Sequence, residues 1–182
     1  MEENINEEAK KEIVKRTVTM KGRPMTLVGE EIKPGMPAPD FKVTGNDMLP
    51  MKFARTFNGK LTVISSVPSL DTPTCDLQTR RFNTEAVALG PDVHIITISM
   101  DLPFAQVRWC GAAGVKAVRT FSDYQKAEFG KAWGLLIKDL RLLARAVYIV
   151  DKDGIVKYAQ LVPEVAQEPD YEEVLTALKA LV

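Results

Sequence analysis

Apolar residues change their rhythm near Gly59. Before it they come in short alternating runs broken by glycine and proline, and after it continuous apolar runs alternate with stretches of helical spacing. The segment TVTMKGRPMTLVG reads as two short strands around Lys21, Gly22 and Arg23, a hairpin by its turn residues. EEIKPGMPAPD carries Pro34, Pro37 and Pro39 and reads as an extended surface connection, followed by short strands around FKVTG and MLPMKFAR with Asn46 and Asp47 between them. From Gly59 the order is strand LTVISSVP, helix CDLQTRRFNTEAVAL, strand VHIITISM, short helix PFAQVRWCGAAGV, strand AVRTFSD and helical KAEFGKAWG. A closing hairpin, ARAVYIVDKDGIVKYAQLV, turns at Asp153-Gly154. DKDG is read as a plain turn because no glutamate follows where a calcium loop requires one. The last helix has Asp170 as its cap and Tyr171, Val174, Leu175, Leu178 and Leu181 on one face.

This alternation predicts an α/β class, and 182 residues at 46% hydrophobic content suffice for one domain with its own core. Residues 1–16 are charged and weakly amphipathic, so they are set apart as an N-terminal arm, with the domain over 17–182. The arm mixes five acids with four bases and has no apolar segment, unlike a secretory signal or an acid-poor transit peptide. No apolar run approaches the roughly 20 residues of a membrane span. The expectation is a cytoplasmic protein with no membrane partner. Lys plus Arg balance Asp plus Glu at 24 each, which lacks the basic excess that nucleic-acid binding draws on.

Two cysteines are too few to staple a secreted fold and point to free thiols. The single histidine, His94, excludes His-rich metal centres, and its strand-like setting reads as structural. Neither GxGxxG nor GxxxxGK[ST] occurs, so thiol chemistry is what remains. It focuses on SVPSLDTPTCDLQTRRF, where a strand ends and Cys75 opens a helix. Unpaired amides and the positive end of the helix dipole favour a thiolate there. Thr72, three residues earlier, can donate its hydroxyl to the sulfur or to an oxygen bound beside it, and Pro68 and Pro73 stiffen the loop. A carboxylate at Asp76 facing the sulfur would oppose ionisation, but adjacent helical side chains diverge. On position alone Cys75 is either reactive or a small core residue, and Cys110 in DLPFAQVRWCGAAGV reads first as core. Arg145 interrupts an apolar strand, a place where a charge is costly unless paired; the alternative is that it faces solvent or a structural acid.

Pro68-Ser-Leu-Asp-Thr72-Pro-Thr-Cys75 resembles the P-x-x-x-T/S-x-x-C pattern of peroxiredoxins. DLPFAQVRWCG, AEFGKAWG, ARAVYIVD and EPDYEEVL narrow the resemblance to the bacterial thiol peroxidases of the atypical two-cysteine type, from about residue 17 to the end. The resemblance implies a thioredoxin-like fold, a central mixed sheet flanked by helices, here with an N-terminal β-hairpin. It also implies that Cys75 is the peroxidatic and Cys110 the resolving cysteine. Thr72 would bind peroxide oxygen, Arg145 would hold the thiolate and the polarised peroxide, and Pro68 would shield the pocket. Arg108 also matches the pattern but reads as part of an exposed helical face.

The activity so implied is reduction of hydrogen peroxide and organic hydroperoxides through a Cys75 sulfenic acid and a Cys75-Cys110 disulfide. Thioredoxin would be the reductant, organic peroxides the favoured substrates, a homodimer the assembly, and no metal, haem or flavin would be needed. The rivals are a thioredoxin-fold redox sensor or relay that passes oxidation to a protein partner, and a binding domain with inert thiols. Because the cysteines fall in separate helices, and a disulfide needs Cα atoms within about 7 Å, bond formation is expected to require local unfolding.

Overall fold

The computed structural model describes residues 16–182, so the arm set apart over 1–16 lies, except for Arg16, outside the described residues. The first hairpin forms as β1 (Thr17–Met20) and β2 (Arg23–Val28). Lys21 and Gly22 take φ of 51° and 77°, the left-handed pair whose twist matches that of the strands they join. Next come β3 (Lys42–Gly45) and β4 (Pro50–Lys52). The second strand read through MLPMKFAR is corrected: it stops at Lys52, and Phe53–Phe57 is a helical turn, α1. The Phe53 and Phe57 rings stack at 5.6 Å, a contact that a strand, spacing them about 13 Å apart, could not make.

The alternating region follows as β5 (Leu61–Ser66), α2 (Pro73–Leu89), β6 (Val93–Ser99), α3 (Pro103–Ala113), β7 (Arg119–Ser122) and α4 (Glu128–Ala132). Two elements absent from the sequence reading, β8 (Leu136–Ile137) and β9 (Leu142–Leu143), extend the first hairpin into a four-stranded sheet ordered β1-β2-β8-β9. The closing hairpin is β10 (Ala146–Val150) and β11 (Val156–Leu161), and at its turn Asp151 Oδ1 accepts from the amides of Asp153 and Ile155, each at 2.9 Å. α5 (Tyr171–Lys179) is capped by Asp170, whose carboxylate accepts from the Glu173 amide at 3.0 Å. Leu181, expected on its apolar face, lies past its end.

The central sheet has seven strands in the order β11-β10-β5-β6-β7-β3-β4, with β5, β6 and β7 parallel and the remaining pairs antiparallel. Strand alternation sends Ile64, Ile96, Ile98 and Tyr148 to one face, where they pack with Trp133, Phe129, Phe41 and Phe53. Val63, Ile95, Val147 and Ile149 face the other way and meet Phe82 of α2, Trp109 of α3 and Val174 and Leu178 of α5. This is the thioredoxin-like arrangement of a mixed sheet with flanking helices. No helix among the described residues is long and apolar enough to cross a membrane.

Candidate active site

β5 delivers the chain to Val67 and Pro68, both buried, and the turn that follows is pinned from the end of β6. Asp101 accepts from the Ser69 hydroxyl at 2.7 Å and the Leu70 amide at 2.8 Å, and also from the Ser99 hydroxyl at 2.7 Å. Within the turn, the Thr72 amide and hydroxyl both donate to the Ser69 carbonyl, at 3.2 and 3.0 Å. The Thr72 hydroxyl, read as a donor either to the sulfur or to an oxygen bound beside it, donates in this structure to the Ser69 carbonyl and not to the sulfur. Its proton completes the turn, and its lone pairs stay available on an exposed hydroxyl.

Cys75 is the third residue of α2, not the first: the helix starts at Pro73, whose fixed φ and missing amide suit that position. The Asp76 amide makes the first rung, to the Thr72 carbonyl at 3.0 Å, which leaves the Thr74 and Cys75 amides without intrahelical partners. The Cys75 side chain is wholly buried. Asp76 turns away from the sulfur, as expected, toward Arg80 and Trp109.

The place of Arg145 is corrected: it lies just before β10 and does not interrupt it. Its carbonyl still accepts from the Val162 amide at 2.9 Å, and its parity with Val147 and Ile149 sends the side chain to the face on which α2 and Cys75 pack. Its side chain is 1% exposed and spends its donors on three acceptors: Val165 O from Nε at 2.9 Å, Gln78 Oε1 from Nη1 at 2.6 Å and Cys75 Sγ from Nη2 at 3.3 Å. Neither an exposed arginine nor one paired with a structural acid describes it. Two of its acceptors are neutral, so the sulfur is the only one that can supply the negative charge a buried guanidinium favours. Gln78 is fixed in turn by donating to the Ser65 hydroxyl at 2.8 Å.

Cys110 sits inside intact α3 and is not joined to Cys75; both are free thiols. Its Sγ lies 3.5 Å from Thr120 Oγ1, a hydroxyl that also bonds to Asn46. Arg108 is solvent-facing, as read, its guanidinium 3.9 Å from Asp71. His94 packs against Phe57 with ring centres 6.0 Å apart; burial, then Lys60 and Arg119, hold its pKa below the ordinary value. Sequence reasoning brought out Cys75 and Arg145, which meet, and Pro68 and Thr72, which frame the loop. It missed Gln78 and Asp101. The signal for Gln78 was its place one helical turn after Cys75, on the same face.

A cysteine in the first turn of a helix, buried against an arginine that precedes the neighbouring strand of a thioredoxin-like sheet, defines a class of thiol-based redox proteins. The Redoxin family model matches residues 33–175. The thiol peroxidase of Bacillus subtilis (strain 168) is 54% identical over 165 residues, covering 91% of this chain and 98% of its own. That of Halalkalibacterium halodurans is 48% identical over 164 residues, covering 90% and 98%. The crystal structure of a peroxiredoxin-like protein from Aquifex aeolicus superposes with a TM-score of 0.85 at 41% identity, covering 92% of this chain and 98% of that one. The chain belongs to the Redoxin family and, within it, to the peroxiredoxin-type thiol peroxidases.

Proposed function

We propose that this thiol peroxidase works as a two-cysteine enzyme with Cys75 as the attacking thiolate and Cys110 as the resolving thiol. The observation that carries the reading is the bond from Arg145 Nη2 to Cys75 Sγ, 3.3 Å long in a site closed to water. The guanidinium stabilises the thiolate, which attacks the terminal oxygen of a hydroperoxide. The O–O bond breaks, Cys75 becomes a sulfenic acid, and the departing oxygen takes a proton to leave as water or alcohol. The Thr74 and Cys75 amides and the Arg145 guanidinium surround the place where that oxygen's charge develops, while the Thr72 oxygen accepts a hydrogen bond from the incoming hydroperoxide and orients it. Pro68, buried beside the loop, excludes water. The Cys110 thiol then condenses with the sulfenic acid, releasing water and forming a disulfide, and a dithiol of the thioredoxin type reduces it by exchange.

Disulfide formation needs α2 and α3 to open locally, because Cys110 is held against Thr120 inside a formed helix. A homodimer suits the exposed Leu102, Phe104 and Val107 along the start of α3. Light scattering at micromolar concentration tests it, and a monomer would overturn that part. The cytoplasm is the compartment in which two free thiols stay reduced between turnovers.

The test is Cys75→Ser with hydrogen peroxide or cumene hydroperoxide and reduced thioredoxin. Wild type should turn over many peroxides per molecule and the variant none. Continued thioredoxin-coupled consumption by the variant would sink the assignment of Cys75. Poor turnover by wild type with thioredoxin present would favour a relay to another protein.

A further inference from the structure

Asp76 directly follows Cys75, Trp109 directly precedes Cys110, and the two are bonded to each other: Trp109 Nε1 donates to Asp76 Oδ1 at 2.9 Å. The other oxygen of that carboxylate accepts from Arg80 Nε at 2.8 Å, and Arg80 Nη1 continues to the carbonyl of Ala113, the last residue of α3, at 3.0 Å. One turn further along α2, Asn83 Oδ1 gathers the consecutive amides of Lys116, Ala117 and Val118 at 3.1, 2.8 and 3.3 Å. Residues 76, 80 and 83 fall on one face of α2, so a single stripe grips the chain from Trp109 to Val118. What α3 presents to α2 in this register is the Trp109 indole, 9% exposed, while Cys110 is turned toward Thr120 of β7.

We propose that the stripe Asp76, Arg80 and Asn83 is a clasp that holds α3 in its reduced register and so sets how fast Cys110 reaches the oxidised Cys75. This rests on the two-cysteine cycle above. For the resolving thiol to enter the space between the helices, the indole must leave it, and the Asp76–Trp109 bond must break. Clasp strength thereby divides the sulfenic acid between two fates. It condenses with Cys110, losing water, or it meets a second hydroperoxide and becomes a sulfinic acid as that peroxide is reduced to water or alcohol. The clasp residues are positioning residues, and none of them touches the reacting sulfur.

The test uses the full chain carrying Trp109→Phe, which keeps an aromatic ring but removes the donor along with part of the buried indole, and separately Arg80→Gln at a solvent-facing position, which leaves the indole packing intact. Quenched samples give three quantities by intact mass: loss of the Cys75 thiol to peroxide, appearance of the Cys75–Cys110 disulfide, and accumulation of sulfinic acid. Peroxide reaction should be unchanged, disulfide formation about tenfold faster, as loss of one charge-assisted hydrogen bond from the reduced form alone implies, and sulfinic acid correspondingly reduced. A role confined to general stability would not separate the first rate from the second. Should Trp109→Phe fold poorly, Arg80→Gln carries the test. Unchanged or slower disulfide formation in a folded variant overturns the clasp and leaves the cycle standing. Absence of the disulfide in wild type overturns both.

Discussion

Arg145 is the residue on which the site's chemistry turns, because it binds the sulfur and is itself held from two other sides. Arg145→Ala should slow the reaction of Cys75 with peroxide by roughly 10²- to 10³-fold, the usual loss when a donor to developing charge is removed. Stopped-flow peroxide kinetics on a folded variant measure this, and an unchanged rate would make the arginine purely structural. Gln78→Leu leaves Nη1 of a buried guanidinium without an acceptor and should cost about 1–3 kcal/mol of stability along with part of the peroxide rate, read by denaturation and by the same kinetics. Thr72→Val should impair the reaction far more than Thr72→Ser, which keeps the hydroxyl that both bonds Ser69 and offers its lone pairs. Cys75 and Arg145 were legible chiefly through the resemblance of the P-x-x-x-T-x-x-C run and of ARAVYIVD to peroxiredoxins, since on position alone Cys75 read equally as a core residue, and the two side chains do meet. Gln78 was not, since a glutamine within a helix reads as an exposed polar face until the partners it faces, Ser65 and Arg145, are brought in from distant segments.

Among the elements, two carboxylates tie secondary structure together with opposite dependence on pH. Glu164 accepts from the Thr19 hydroxyl and from the amides of Lys21, Gly22 and Ala166, and these bonds hold its pKa down at about 2 against an ordinary 4.5. The charged form is the one the fold binds, so its contribution is complete above about pH 4.5 and lost as pH falls toward 2. Glu164→Gln should therefore be less stable than wild type at neutral pH, with the gap closing in acid unfolding curves. Asp123 lies buried beneath α4, and its carboxylate accepts from the Phe129 and Gly130 amides at 3.1 and 2.8 Å. Burial outweighs those bonds and lifts its pKa from 3.8 to about 6. Here the protonated form is favoured, so the contribution is complete below about pH 4 and lost as pH rises through 6. Asp123→Asn should flatten the stability profile across that window. The long elements were readable from their periods, whereas two-residue β8 and β9 have no period, and the turn of α1 is decided by ring packing.

At the scale of the whole molecule, the sheet separates what moves from what stays. β5, β6 and β7 form the middle of the central sheet, whereas Cys75 and Cys110 ride on helices packed over one face of it. Oxidation should raise amide hydrogen exchange in the first turns of α2 and around Gly111 and Gly114 while the central strands stay protected. Equal exchange in reduced and disulfide-bonded protein would mean a preformed site. The α/β order was legible because strands and helices alternate with clear periods after Gly59. The partnership of the first hairpin with β8 was not, because nothing local encodes a pairing between Leu27 and Ile137. That hairpin also takes the Val165 amide on the Thr19 carbonyl, and Val165 in turn supplies the carbonyl that holds Arg145. On a ribosome the chain emerges from its first residues, so β1 and β2 are made early and must wait for a partner translated near the end. The thiol of Cys75 is thus synthesised well before the scaffold that orients its arginine, and a nascent chain halted short of Val165 carries the cysteine without the finished enzyme.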